Sequence, residues 1–144
     1  MVDGAIFTPL RQICDERGKV MHMRREDSPL FSHFGEIYFS CTFPGAIKPL
    51  HLHTRMRLNY AVVYGAIKCL LFEDRLSSNT FGETNDFFLS ADNYSLLTVI
   101  PLIWNGWKGI VTETSISANC ATIIHQSDEI KRKPAFDSYI QYNW

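Results

Sequence analysis

The chain has 144 residues, a length that fits one domain and leaves little room for a second. Hydrophobic residues make up 46% and charged residues 20%, proportions that are typical of a globular protein and exclude a disordered chain. Fourteen Lys and Arg balance fifteen Asp and Glu, so the formal charge of -1 gives no overall field for holding nucleic acid or an anionic membrane. We therefore expect one domain, residues 1–144, with neither of these partners.

Targeting signals and cysteine usage indicate the compartment. Every apolar stretch is far shorter than the roughly twenty residues that cross a bilayer, and the N-terminus lacks the basic-then-apolar order of a secretion signal. The cysteines stand singly, without a CxxC pair, which favours free thiols over disulfides or a zinc knuckle. They are Cys14, Cys41, Cys69 and Cys120. The sequence thus predicts a cytoplasmic protein.

Short runs of aromatic and β-branched residues, broken by Gly, Pro, Asn and Ser, predict a mostly β domain from Glu36 onward. Residues 36–43 alternate in polarity, and we expect their apolar face to be core. That face carries Ile37, Phe39, Cys41 and Phe43. Residues 59–64 and 66–73 predict two strands joined as a hairpin at Gly65.

Later segments continue the β pattern. Short strands are predicted over 86–89, 95–101, 106–112 and 116–124, a spacing typical of a sandwich or barrel. The segment SDEIKR, residues 127–132, predicts a short helical turn with Ser127 as its cap. The tail to Trp144 is aromatic, so we expect it to pack on the barrel or on a partner subunit.

The most informative stretch is residues 44–65, where His51 and His53 share one face of a predicted strand. Nearby cations should hold these imidazoles below their usual pKa of ~6.5, because positive charge disfavours imidazolium, and a neutral imidazole can act as a base. Lys48, Arg55 and Arg57 would suit a phosphorylated ligand. The alternative is that the histidines pack in the core and the cations form a solvated rim.

Residues 44–65 resemble the first conserved motif of the cupins, small jelly-roll β-barrels also described as double-stranded β-helices. Metal-binding cupins carry a Glu where this chain has Arg57 and Leu58, and a third His where it has Asn105. Only two ligands remain, whereas transition-metal sites need three or four, so we expect no metal and no cofactor.

Within the cupins, the chain resembles the dTDP-4-dehydrorhamnose 3,5-epimerases and the related 3,4-ketoisomerases. The resemblance is carried by CDERGKVMHM, residues 14–23, by PLHLH, residues 49–53, and by residues 77–107. It implies that His51 is the catalytic base on a nucleotide-sugar substrate.

The resemblance also implies roles for other residues. Tyr38 would donate or relay the second proton, with His53 beside the base. Arg17 would reach the diphosphate across a homodimer that exchanges N-terminal strands, and Lys48 would lie near the sugar and phosphates. The remaining candidate substrate-binding residues are Arg55, Arg57 and Asn105, together with Trp104, which is a candidate because it stands beside Asn105 in the sequence.

Two features depart from the epimerases. Their acid Tyr lies on a late strand where this chain has Ala118 or Asn119, and their base-orienting Asp comes from a segment that would follow Trp144. Three functions therefore stay open: an epimerase inverting C3, C5 or both, a 3,4-ketoisomerase, and a sugar-nucleotide-binding cupin without activity.

Overall fold

The structure is a computed structural model that describes residues 1–144. It contains twelve β-strands and one 3-10 turn. The strands are β1 (Ala5–Pro9), β2 (Gln12–Asp15), β3 (Gly18–Met21), β4 (Glu36–Thr42), β5 (Ile47–His53), β6 (Leu58–Tyr64), β7 (Ala66–Glu73), β8 (Thr84–Ser90), β9 (Ser95–Val99), β10 (Ile103–Gly109), β11 (Ser115–Ala121) and β12 (Ile130–Arg132). The all-β prediction is confirmed. No helix is long and apolar enough to cross a membrane.

Two five-stranded antiparallel sheets face each other. The first sheet has the order β1-β9-β6-β11-β4 and the second the order β12-β5-β10-β7-β8, while β2 and β3 form a separate hairpin. From β4 to β7 the chain alternates between the sheets, as in a jelly roll. The main core lies between them and includes Leu58, Tyr60, Leu71, Leu97 and Ile103.

The alternation of β4 is real, but the prediction that its apolar face is core was wrong. Ile37 is 50% and Phe39 61% exposed, whereas Tyr38 points to the inside of the barrel. The reason is that β4 is an edge strand beside an open part of the barrel, where the inner face meets a polar cavity. Alternation separates two faces without saying which one is buried.

Gly65 has the expected positive φ of 72°, but the hairpin prediction was wrong. The strands before and after it, β6 and β7, belong to different sheets and do not pair. Gly65 instead carries the chain from one sheet to the other. A Cβ there would lie 2.9 Å from the Cα of Ser115, so the position also needs a residue without a side chain.

The C-terminal part differs in one element from the prediction. The 3-10 turn covers only Ser127–Glu129, and residues 130–132 form β12 instead of continuing a helix, because they pair with β5. The tail packs on the outer face of the second sheet, as the sequence predicted. There Ile140, Tyr142 and Trp144 contact a cluster of Leu50, Leu52, Leu70, Phe72 and Trp104.

All four cysteines are free thiols, as predicted. Cys69 is buried, whereas Cys14 and Cys41 are exposed.

Candidate active site

A cavity of about 510 Å³ opens between the edge strand β4 of the first sheet and strands β5 and β12 of the second. Its volume lies in the range of small-molecule sites. The side chains that matter most for chemistry are Tyr38, Lys48, His51, His53, Trp107 and Arg132. Four strands, β4, β5, β10 and β12, thus meet at a polar and aromatic chamber inside an otherwise apolar barrel.

A β-bulge in β5 brings Lys48 to the same side as the histidines. Where β10 pairs with β5, Asn105 of β10 lies opposite His51, and Trp107 of β10 lies opposite Lys48. Two residue steps along β10 therefore face three residue steps along β5. In a regular strand, residues three apart point to opposite faces. The extra residue of the bulge shifts the alternation of side chains by one position, so Lys48 and His51 both line the cavity.

His51 is held as a neutral base. Burial lowers its pKa to about 4, and the charges of His53 and Arg132 act in the same direction, while the carbonyl of Pro49 opposes them. For His51 the predicted direction of the pKa shift is confirmed, but its main cause is burial and not the cations named from the sequence. At neutral pH the ring can therefore accept a proton.

Hydrogen bonds select the tautomer of His51. The Asn105 Nδ2 amide donates to the carbonyls of His51 (3.2 Å) and Ile103 (3.4 Å), so its Oδ1 faces Tyr60 and accepts the Tyr60 hydroxyl proton at 3.2 Å. The Tyr60 oxygen is then free to accept from Nε2 of His51 at 3.3 Å. This arrangement leaves the lone pair on Nδ1. Protonated Nδ1 could donate to the carbonyl of Pro49, 3.3 Å away.

We expect His51 to stay neutral down to about pH 4, because burial sets its pKa there. The unfolded chain binds a proton at this site below its ordinary pKa of ~6.5, so this group lowers the free energy of unfolding as pH falls from ~6.5 to about 4. Histidine ¹⁵N NMR over this pH range measures the titration, and the His51→Asn variant assigns the signal. A His51 midpoint near 6.5 would contradict the assignment of a half-buried ring that its surroundings keep neutral.

A buried carboxylate holds the second histidine. Nδ1 of His53 forms a short hydrogen bond with Oε1 of Glu129, and the two side chains are 3% and 0% exposed. Burial alone would raise the pKa of Glu129, but hydrogen bonds from His53 and from the amides of Arg55 and Met56 outweigh burial and leave the pKa lowered. Glu129 therefore stays ionised and fixes the ring of His53, which meets the His51 ring edge to face at 5.4 Å.

The aromatic wall of the cavity is Trp107 and not Trp104. The Trp107 indole lies 5.7 Å from His51 and donates to Oγ1 of Thr42. Trp104, predicted to bind substrate, points the other way because neighbouring residues of a strand alternate. It packs under the C-terminal tail, and its Nε1 donates to Asp74 at 3.3 Å. Asn105 is fully buried and acts through Tyr60 instead of lining the cavity.

The predicted cations are only partly brought together. Lys48 lines the cavity. Arg17 lies in the turn of the β2–β3 hairpin, is 83% exposed and pairs with Asp15. Arg55 is exposed and bonds to Gln126 at 2.8 Å, and the side chain of Arg57 does not reach the cavity lining.

Sequence reasoning missed two charged residues of this site, Glu129 and Arg132. Both lie in residues 127–132, the segment that was predicted to form a short helical turn. Arg132 pairs with His51 in the register of β12 on β5, which places it beside the base. The signal that was available is the β-branched Ile130 between them, which suits a short edge strand. No group of three or more His, Cys, Asp or Glu side chains is arranged to hold a metal ion.

Comparisons with known proteins agree with this architecture. The chain is 31% identical to the spore coat polysaccharide biosynthesis protein SpsL of Bacillus subtilis, across 100% of this chain and 97% of that protein. It is 40% identical to a dTDP sugar isomerase of Desulfovibrio desulfuricans, whose crystal structure superposes with a TM-score of 0.96 over 99% of this chain and 92% of that one.

A more distant match is the dTDP-4-dehydrorhamnose 3,5-epimerase of Bacillus anthracis, at 22% identity and a TM-score of 0.86, covering 97% of this chain and 84% of that one. These superpositions confirm the predicted cupin-type jelly roll. No protein-family model matches the chain.

Proposed function

The chain belongs to the same family as the polysaccharide biosynthesis protein SpsL of Bacillus subtilis and the dTDP sugar isomerase of Desulfovibrio desulfuricans, and from this premise we propose that it is a sugar-nucleotide epimerase acting on a dTDP-4-keto-6-deoxyhexose. The observation that carries the proposal is a neutral imidazole, His51, inside a cavity with Lys48 and Arg132. The name of the Bacillus subtilis relative supports a place in polysaccharide biosynthesis.

In the proposed reaction, Nδ1 of His51 takes a proton from the carbon next to the C4 ketone, at C3 or C5. The electron pair of the broken C–H bond moves onto the ketone oxygen and gives an enolate. The positive charges of Lys48 and Arg132 favour that oxyanion, because charge stabilisation is strong in a partly dry cavity. A proton returned to the opposite face of the same carbon inverts its configuration. The reaction needs no cofactor.

A 3,4-ketoisomerase is the second candidate, and a specific observation favours it. The inward residue of β11 is Asn119, whereas Ala118 points outward, so the late strand offers no phenol. Protonation of the enolate oxygen instead of the carbon gives an enediol, and a further proton transfer moves the carbonyl from C4 to C3. The name of the Desulfovibrio protein, a sugar isomerase, is compatible with either reaction.

We also propose that cationic side chains bind the substrate, because Lys48 and Arg132 line the cavity. Lys48 and Arg132 would hold the diphosphate, with Trp107 and Tyr38 against the sugar or base, since aromatic faces pack well on such rings. A cytoplasmic location is compatible with four free thiols.

We also propose a homodimer with exchanged N-terminal strands. The β2–β3 hairpin carries exposed Ile13 and Val20, and β4 leaves one edge and an apolar face unpaired. A hairpin from a second copy at that edge would bring its Arg17 toward the cavity. Light scattering should give twice the monomer mass, and Arg17→Ala should weaken dTDP binding without changing that mass.

The reaction itself is tested by incubating the protein with dTDP-4-keto-6-deoxyglucose in heavy water. Proton NMR should show deuterium entering C3, C5 or both, together with an inverted centre. A new C3 ketone would mark the ketoisomerase. An unchanged spectrum, with dTDP still raising the melting temperature, would reject both reactions and leave a binding protein.

A further inference from the structure

Asn119 is a buried amide of the first sheet. It lies on β11, 1% exposed, and stands directly opposite Tyr38 in the register between β11 and β4. A buried amide must find partners for its oxygen and its NH₂ group, because an unpaired polar group inside a protein costs free energy. The two partners of Asn119 are therefore informative.

The orientation of the Asn119 amide is fixed by a main-chain donor. The backbone N–H of Asn59 donates to Oδ1 of Asn119 at 2.9 Å. A backbone N–H can only donate, so this atom must be the oxygen, and the Nδ2 group must face the other way. There it meets the hydroxyl oxygen of Tyr38, at 2.9 Å, and donates to it.

This geometry determines where the phenolic proton of Tyr38 points. Since the Tyr38 oxygen accepts from Asn119, its own proton cannot lie between the two side chains. Burial raises the pKa of Tyr38, and the Asn119 hydrogen bond offsets only part of that shift, so the phenol is protonated at neutral pH. Tyr38 lines the same cavity as His51. The free direction for its proton is the space where a sugar would sit.

We propose that Asn119 is a positioning residue that directs the phenolic proton of Tyr38 into the cavity, so that Tyr38 supplies the proton that completes the reaction. This inference rests on the proposed epimerase function. His51 removes the C–H proton and its electron pair moves onto the ketone oxygen. The enolate carbon then takes the proton from Tyr38, and the Tyr38 O–H bond breaks to leave a phenolate. Exchange with water returns a proton to the phenolate and removes one from the imidazolium.

The first test does not depend on catalysis. Tyrosine labelled with ¹³C at Cζ reports the ionisation of each phenol by NMR, and Tyr38→Phe identifies the Tyr38 signal. In Asn119→Leu the donor is gone, and in Asn119→Asp the new carboxylate accepts the phenolic proton. Both changes should raise the pKa of Tyr38. Ser117→Ala is the matched control, because Ser117 is buried on the same face of β11 and bonds only to the carbonyl of Ser40.

The second test compares proton removal with product formation. Tyr38→Phe should lower kcat for product at least about 100-fold, the usual effect of losing a general acid, while substrate C–H exchange into heavy water continues. The two Asn119 variants should lower kcat only about 10-fold, with little change in KM, because Tyr38 itself remains and can still donate its proton. Combining Asn119→Asp with Tyr38→Phe should cost no more than Tyr38→Phe alone.

Two results would overturn the inference: a Tyr38 pKa that is the same in both Asn119 variants as in the parent, or losses of kcat that multiply in the double variant. Melting temperatures identify a variant that fails to fold, and the second Asn119 variant then carries the test. A parent protein without any exchange or product would refute the proposed function. The NMR titration would still show whether Asn119 donates a hydrogen bond to Tyr38.

Discussion

His51→Asn is expected to lower the rate of deuterium incorporation into a dTDP-4-keto-6-deoxyhexose at least about 100-fold, because it removes the base that starts the reaction. The Nδ1 atom of His51 has a free lone pair in the tautomer set by Tyr60 and Asn105. The smaller asparagine amide is not basic enough to accept the proton. NMR of the substrate in heavy water measures the initial rate.

The matched control is His33→Asn, since His33 is exposed in the N-terminal segment and lies outside the cavity. The His33→Asn variant should incorporate deuterium into the substrate at the parent rate. The thermal transition of His51→Asn should show a folded protein, because the ring is replaced by a smaller polar group at the cavity wall. Exchange by His51→Asn at more than about a tenth of the parent rate would exclude His51 as the base, since a lost general base costs more than that.

Glu129→Ala is expected to lower the free energy of unfolding by about 3 kcal/mol or more, because each buried donor left without a partner costs about 1 to 3 kcal/mol. The change leaves Nδ1 of His53 without its acceptor and also frees the amides of Arg55 and Met56. It further removes the side-chain contact between the 3-10 turn and the end of β5, whereas the backbone hydrogen bond from Thr54 to the carbonyl of Glu129 remains. Urea denaturation, monitored by tryptophan fluorescence, measures this decrease in the free energy of unfolding.

Asp128→Ala provides the control for Glu129→Ala, because the two acids are neighbours in the chain but differ in environment. Asp128 is 76% exposed and reaches Arg55 only at 3.4 Å. Its removal should change the free energy of unfolding by less than about 0.5 kcal/mol, as is usual for an exposed ion pair. Equal midpoints for the two variants would show that the Glu129–His53 contact does not stabilise the fold.

Most of the strands from β4 to β11 and the central pair of histidines could be predicted from the sequence because both depend on local patterns, whereas β1, β2, β3 and β12 were not predicted. Alternation placed β4, and the bounds of β6 and β7 were correct to within one residue. The same local information could not say which face of β4 is buried, since that depends on the neighbouring sheet. Nor could it show that Gly65 joins two sheets instead of two paired strands.

The site was harder to predict because its groups meet only through long-range pairing. Glu129 lies 76 positions from His53 in the sequence, and Asn119 lies 81 positions from Tyr38. Lys48 reaches the cavity through a bulge, which an alternation pattern does not reveal. Trp104 was assigned to the cavity from its proximity to Asn105 in sequence, although adjacent residues of a strand point to opposite sides.

A crystal structure of the His51→Asn variant with a dTDP-4-keto-6-deoxyhexose would test the account most directly. We predict the hexose inside the chamber between β4 and β5, with C3 or C5 against position 51 and the diphosphate beside Lys48 and Arg132. A sugar ring bound on another surface, or turned so that neither carbon faces position 51, would contradict it.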